Sequence, residues 1–191
     1  MPQNLRDEGL LGEQQPASVP NIDGRDLVLA GSCSAATRGQ IKHVEDLWPC
    51  RKINVDNVAE GKDVVGELSD WANRQEAGLP VLIYASADPD EVKANQKKYG
   101  IERSGTMIEK TLGSLASKLC PAGFNRIISA GGETSGAIVS ALDVKALKIC
   151  KEIAPGVPWT QAQGAQSIAL ALKSGNFGSP TFFQDAFRLL P

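Results

Sequence analysis

From residue 26 onward the apolar positions of this chain alternate between two rhythms. Asp26-Leu-Val-Leu-Ala30 and Pro80-Val-Leu-Ile-Tyr-Ala85 are short continuous apolar runs, the pattern of strands buried on both faces. After the first run, Gly31-Ser-Cys-Ser34 turns into a helical stretch from Ala35 to about Leu47. Lys52-Ile-Asn-Val-Asp56 reads as a modest strand, and Lys62 to Ala77 carries Val65, Leu68 and Ala72 at helical spacing. Asp88-Pro89 is an N-cap acid before a first-turn proline, so a helix runs from there towards Tyr99. The next helix spans Gly105 to Leu119, with Met107, Ile108, Leu112 and Leu115 on one face, and Pro121 and Gly123 end it.

The second half repeats the alternation. Asn125-Arg-Ile-Ile-Ser-Ala130 is a strand that enters Gly131-Gly-Glu-Thr-Ser-Gly136, and a short helix follows through about Leu142. Val144 to Ile149 reads as a strand, Glu152 to Gln163 as a loop because of Pro155, Gly156 and Pro158, and Ser167 to Leu172 as the last strand. Phe182 to Leu190 closes with a helix. Strands alternating with helices predict an α/β fold, a three-layer sandwich whose mainly parallel sheet has helices on both faces and whose last segments are placed to add antiparallel strands. Residues 1–25 are polar, contain Pro16 and Pro20 and lack periodicity, which predicts a tail or linker before one domain over residues 26–191.

Composition narrows the function class. With 191 residues, 42% of them hydrophobic and 22% charged, the chain is long enough for one domain with a real core. A formal net charge of −2 and no Lys/Arg run leave no footprint for nucleic acid or an anionic membrane surface. The start Met-Pro-Gln-Asn-Leu-Arg-Asp-Glu-Gly lacks a signal-peptide centre, and no apolar run approaches the roughly 20 residues of a spanning helix; the expected location is cytoplasmic. Cys33, Cys50, Cys120 and Cys150 form no CxxC pair, and His43 stands alone, so no zinc set is expected and the thiols read as reduced and structural. A hydrolase built on Ser34 and His43 is ranked last, because Ala36 stands where the second glycine of a G-x-S-x-G elbow belongs.

Chemistry concentrates in three turns, each following a strand: Gly31 to Ser34, Gly131 to Gly136, and Lys173-Ser-Gly-Asn-Phe-Gly178. In an open parallel sheet, ligands gather at the carboxyl ends of the strands, so the three turns can share one site. Gly131 and Gly132 let backbone amides approach an anion, and Thr134 and Ser135 offer hydroxyls at a helix start. The pattern is neither GxxxxGK[ST] nor GxGxxG, and a tight turn with a helix cap explains it equally well. Ser32 and Ser34 suit a phosphate or a base edge, and equally suit capping the next helix. Glu133 suits magnesium or its waters, but an acid at a helix start is also favourable with the helix dipole. Gly175 and Asn176 suit a loop lying on a flat base with Phe177 packed behind it, and equally suit an ordinary strand-to-helix connection in which Asn176 forms the turn and Phe177 enters the core.

Taken together, Gly131-Gly-Glu-Thr-Ser-Gly136, Glu152-Ile-Ala-Pro-Gly-Val-Pro-Trp159, Leu172-Lys-Ser-Gly-Asn-Phe-Gly178 with Phe182-Phe183, and Leu29-Ala-Gly-Ser-Cys-Ser-Ala-Ala-Thr37 resemble the carboxy-terminal nucleotide-binding domain of the four-carbon acid sugar kinases. The resemblance covers residues 26–191. It implies ATP-dependent phosphorylation of threonate, erythronate or 3-oxo-tetronate type acids, with magnesium beside ATP. It places the ATP contacts at Ser32 or Ser34, at Gly131, Gly132, Glu133, Thr134 and Ser135, and at Gly175 with Asn176. The family's sugar-acid-binding domain, with its Asp-Asp-x-Thr-Gly motif, is not in these residues, so no catalytic base is assigned. An excised domain, a split gene product and a remnant that binds nucleotide without catalysis all stay open, as does self-association into a homo-oligomer. The alternative reading is a nucleotide-binding assembly or sensor module.

Overall fold

The computed structural model describes residues 2–10, 18–163 and 167–191. Its centre is one seven-stranded sheet in the order β2-β3-β1-β4-β7-β6-β5, formed by β1 (Asp26–Ala30), β2 (Cys50–Lys52), β3 (Val81–Tyr84), β4 (Arg126–Ala130), β5 (Ala146–Ala154), β6 (Val157–Gln163) and β7 (Ala169–Lys173). Strand β1 pairs in parallel with β3 and β4, β2 with β3, and β4 with β7. Strands β5 and β6 add an antiparallel edge beside β7. The mainly parallel sheet expected from the sequence forms, and its last segments do add antiparallel strands: the parallel strands are joined through helical crossovers, whereas β5 and β6 are joined by a tight turn.

Side chains alternate across a strand, and β1 shows how this builds the layers. Leu27 and Leu29 join Ile83, Leu112, Leu115 and Ile127 on one face. Val28 and Ala30 join Ile128, Trp159, Phe182 and Phe183 on the other. Helices α4 (Val64–Asn73), α6 (Ile101–Leu119) and α7 (Gly132–Ala141) cover the first face; α2 (Ala35–Val44) and α8 (Phe182–Arg188) cover the second. Trp159 is fully buried, and its indole N–H donates to the Ala186 carbonyl at 2.9 Å, which satisfies the one polar atom it takes into the core. Helix α6 approaches α7 closely because Gly113 has no side chain: a Cβ there would lie 3.1 Å from the Ala137 carbonyl oxygen and 3.2 Å from the Ala141 Cβ.

Several sequence expectations need correction. The segment 152–163 is not a loop. It is the last three residues of β5 and all of β6, folded about Pro155-Gly156, where Gly156 has φ +77°. The strand expected at Lys52–Asp56 lies earlier, and Val55–Ala59 is a short helix, α3, capped by the Asn54 side chain. Helix α6 starts at Ile101 rather than Gly105, directly after Gly100 closes α5 (Pro89–Tyr99). Helices α2 and α4 stop short of Leu47 and Ala77. Within the first 25 residues, Pro2–Asp7 forms a one-turn-and-a-half helix, α1, the Ser18 carbonyl accepts from the Lys151 amide, and Ile22 packs into the core; Pro16 lies outside the described residues.

Candidate functional site

The site sits where the sheet changes direction. From β1 the chain passes first to β2 at the sheet edge, returns to β3 beside β1, and then crosses to β4 on the other side of β1, and the crevice beyond the β1 and β4 carboxyl ends is where ligands of open α/β sheets collect. The turns there are extensions of the sheet. Gly31 N and Ser32 N both donate to the Ala130 carbonyl at 3.0 Å, Ala85 N donates to Ala30 O at 2.8 Å, and Gly131 N donates to Lys173 O at 2.8 Å. Two glycines make this junction possible. Gly131 has φ +132°, and a Cβ at Gly31 would lie 2.3 Å from the Thr134 hydroxyl, which is buried between the turns.

Helix α7 begins in that crevice with Gly131 as its N-cap, and no side chain caps it. The first amides of a helix have no intrahelical acceptor. Here the first amide to find one is Ser135 N, which donates to Gly131 O at 2.9 Å. The amides of Gly132, Glu133 and Thr134 therefore point outward at the positive end of the helix dipole, an arrangement suited to an anion. A Cβ at Gly132 would meet nothing within 4 Å, so the space before these amides is open.

That space belongs to a cleft of about 430 Å³. Its floor is Gly31, Ser32, Cys33 and Gly131 to Thr134. Its opposite wall is Val92, Asn95 and Gln96 of α5 and Ile101, Ser104, Ile108 and Glu109 of α6. One end is thus amides and hydroxyls, and the other mixes apolar carbons with amide side chains, the composition of a pocket for a molecule with an anionic end and a flat polar end. Glu109 and Glu133 are the charged residues lining it. Among the described residues no three acidic, histidine or cysteine side chains gather as a metal site.

The residues singled out from sequence fall in four places. Ser32, Gly131, Gly132, Glu133 and Thr134 line the cleft. Ser34 and Gly175 stand behind it as a clamp: the Ser34 hydroxyl accepts from Thr37 N at 3.2 Å and donates to Gly175 O at 2.6 Å. A Cβ on Gly175 would lie 2.3 Å from Ser32 Oγ, so the third turn rests directly on the first. Ser135 turns inward, its hydroxyl 3.0 Å from that of Ser129 inside the sheet. Asn176 lies on the far side of the clamp in a separate hollow with Pro155, Phe182 and Asp185. Phe177 is 44% exposed and leans on Gly156 rather than packing behind the turn. The loop is held instead by Gln40 of α2, whose Nε2 donates to Phe177 O at 3.0 Å and Ser179 O at 2.9 Å.

Two features escaped sequence reasoning. The α5–α6 wall did, because its residues read as ordinary positions of amphipathic helices. Lys173 did too: it opens the third turn, yet it is fully buried, donating to the Thr37 hydroxyl at 3.1 Å and to the carbonyls of Ser174 at 3.0 Å and Gly175 at 2.9 Å. Burial pulls its pKa down from 10.5 to about 8. A lysine ending an otherwise apolar strand, Ala-Leu-Ala-Leu-Lys173, was the available signal.

Fold and cleft together define a nucleotide-binding α/β domain. The profile of the family described as "Nucleotide-binding C-terminal domain" matches residues 27–183, and the chain belongs to that family, the carboxy-terminal nucleotide-binding domain of the four-carbon acid sugar kinases. It is 50% identical to the 3-oxo-tetronate kinase of Pseudomonas savastanoi pv. phaseolicola over 100% of this chain and 44% of the relative. It is 48% identical to the 3-oxo-tetronate kinase of Cupriavidus necator, again over 100% of this chain and 44% of the relative. The crystal structure of a Haemophilus influenzae protein superposes with a TM-score of 0.88 at 34% identity, covering 99% of this chain and 45% of that one. The chain thus spans under half the length of the curated relatives it matches.

Proposed function

We propose that this chain holds ATP, with magnesium on its phosphates, for a kinase that phosphorylates a four-carbon sugar acid of the 3-oxo-tetronate type. The observation that carries the reading is the open, uncapped start of α7: three unpaired amides, at Gly132, Glu133 and Thr134, face a cleft at the carboxyl end of a parallel sheet. The phosphate chain lies against these amides and the Ser32 turn, and the base extends between Val92, Asn95 and Ile108. Phosphoryl transfer needs positioning and charge stabilisation more than covalent chemistry. The chain's own residues supply the first by holding the phosphate chain. Magnesium would supply charge neutralisation on the phosphates, and Glu133 and Glu109, which line the cleft, would be the carboxylates to hold it through water.

The acceptor acid and the base that deprotonates it belong, on this reading, to a sugar-acid-binding domain outside residues 26–191. A reaction that consumes ATP places the work in the cytoplasm; among the described residues no helix is long and apolar enough to cross a membrane. Calorimetric titration with ATP and magnesium, followed by assay with four-carbon sugar acids in the presence and absence of the amino-terminal half of a relative, tests the reading. Saturable ATP binding, with turnover appearing only when the second domain is added, is expected. No heat at millimolar ATP would overturn the nucleotide site; binding without turnover in any combination would favour a sensor or assembly module.

A further inference from the structure

A buried lysine is ordinarily neutralised by a carboxylate, because an ammonium taken out of water without a counter-charge is strongly disfavoured. Lys173 has no such partner: its three donors go to the Thr37 hydroxyl and the Ser174 and Gly175 carbonyls, all neutral. The charged and titratable groups on the surrounding elements are turned elsewhere. Arg38 donates to the Cys33 carbonyl and His43 meets Gln184. Asp185 accepts from Thr181 and pairs with Arg188, while Arg126 pairs with Asp26. Glu133 faces the cleft, and Lys42 on α2 carries the same sign as Lys173.

The place of this lysine is specific. Its backbone carbonyl anchors Gly131, the N-cap of α7, and its ammonium, together with Ser34 and Thr37, converges on the Gly175 carbonyl. That convergence occupies the Gly175 carbonyl with three donors of the clamp. We propose that Lys173 is the positioning residue of the phosphate site and that its unneutralised ammonium has the phosphate chain of the bound nucleotide as its counter-charge. The proposal rests on the nucleotide reading above. It does not require contact, since a charge in a buried, weakly screened setting acts over several ångströms.

The lowered pKa of about 8 makes the proposal testable by linkage. A group half neutral near that pH becomes charged when an anion binds beside it, so binding takes up a proton above about pH 8 and affinity falls as pH rises, by up to about tenfold per unit. The phosphates themselves do not titrate there, their last pKa being about 6. The experiment is calorimetry of the whole chain with ATP and magnesium in buffers of different ionisation enthalpy, from about pH 7 to pH 9.5. Wild type should take up a fraction of a proton near pH 7.5 and most of one near pH 9. Lys173→Met should bind at least tenfold more weakly at neutral pH and show no uptake. Thr37→Val, which removes one acceptor from the ammonium, should move the onset of the fall to lower pH. ATP binding by wild type with no proton uptake, or uptake unchanged in Lys173→Met, overturns the role of Lys173 while leaving the nucleotide site intact. Absence of ATP binding by wild type overturns both.

Discussion

Gly132 is the residue at which the account is most exposed to test. Its Cβ position is open and it is the first residue of α7, so Gly132→Asp adds a carboxylate before the three amides without a clash. The helix gains a few tenths of a kcal/mol from an acid in its first turn, while ATP affinity falls by about one to two orders of magnitude through like-charge repulsion. Calorimetry and melting temperature on the same variant separate the two. Cys50 makes a second residue-scale prediction: burial, then Glu45 and Asp46, push its thiol up to about 11. It should resist alkylation by iodoacetamide at pH 8 over times that modify an ordinary exposed thiol, and rapid labelling would contradict its placement. At this scale the glycine turns were legible because φ and close approach restrict residue choice to Gly. The direction of a hydroxyl was not. Ser34 is committed to Gly175, 141 residues away, and Ser135 to Ser129, and no local pattern distinguishes these from a serine that meets a ligand.

At the scale of elements, α7 carries the site and is positioned by α6. Gly113→Val puts methyl groups where 3.1 Å already separates a Cβ from the Ala137 carbonyl oxygen. It should cost about 1–3 kcal/mol as overpacking and weaken ATP binding by displacing α7; a stable variant with unchanged affinity would show that the helix pair has slack. On β1 and β4, Arg126 donates to Asp26 at 2.6 Å with both side chains largely buried, and burial raises the Asp26 pKa against the opposing effect of Arg126. Arg126→Met therefore leaves an unpaired carboxylate and should destabilise by on the order of 2–3 kcal/mol. Its pKa then rises further, so the loss should be smaller at low pH, where Asp26 is protonated in the fold, than at neutral pH, as urea unfolding at both would show. The elements themselves were readable where periodicity ran long, as in α6 and β4. The β5–β6 hairpin was misread because Pro155, Gly156 and Pro158 are breaker signals whether they flank a hairpin turn or fill a loop. Pro158 is tolerated within β6, where the ladder to β5 is already irregular near Glu152.

For the whole molecule, the alternation of strands and helices specified three layers, and the topology then determined which turns could meet. The switch between β1 and β4 brings residues 31–33 and 131–134 into one cleft, whereas Asn176 shares a hollow with Pro155 of the turn between β5 and β6, a hairpin that the breaker residues disguised as a loop. Isolated turnover should be negligible, since proximity to an acceptor held by another domain can supply about 7–11 kcal/mol of the barrier. The central claim, that the nucleotide's phosphates lie on the amides opening α7, is tested most directly by titrating the isotopically labelled chain with ATP and magnesium and following backbone amide resonances. Saturable shifts largest at Gly132, Glu133 and Thr134, with smaller ones at Ser32 and Asn95, are predicted; shifts that leave these amides unmoved and gather instead around Asn176 and Asp185 would contradict it.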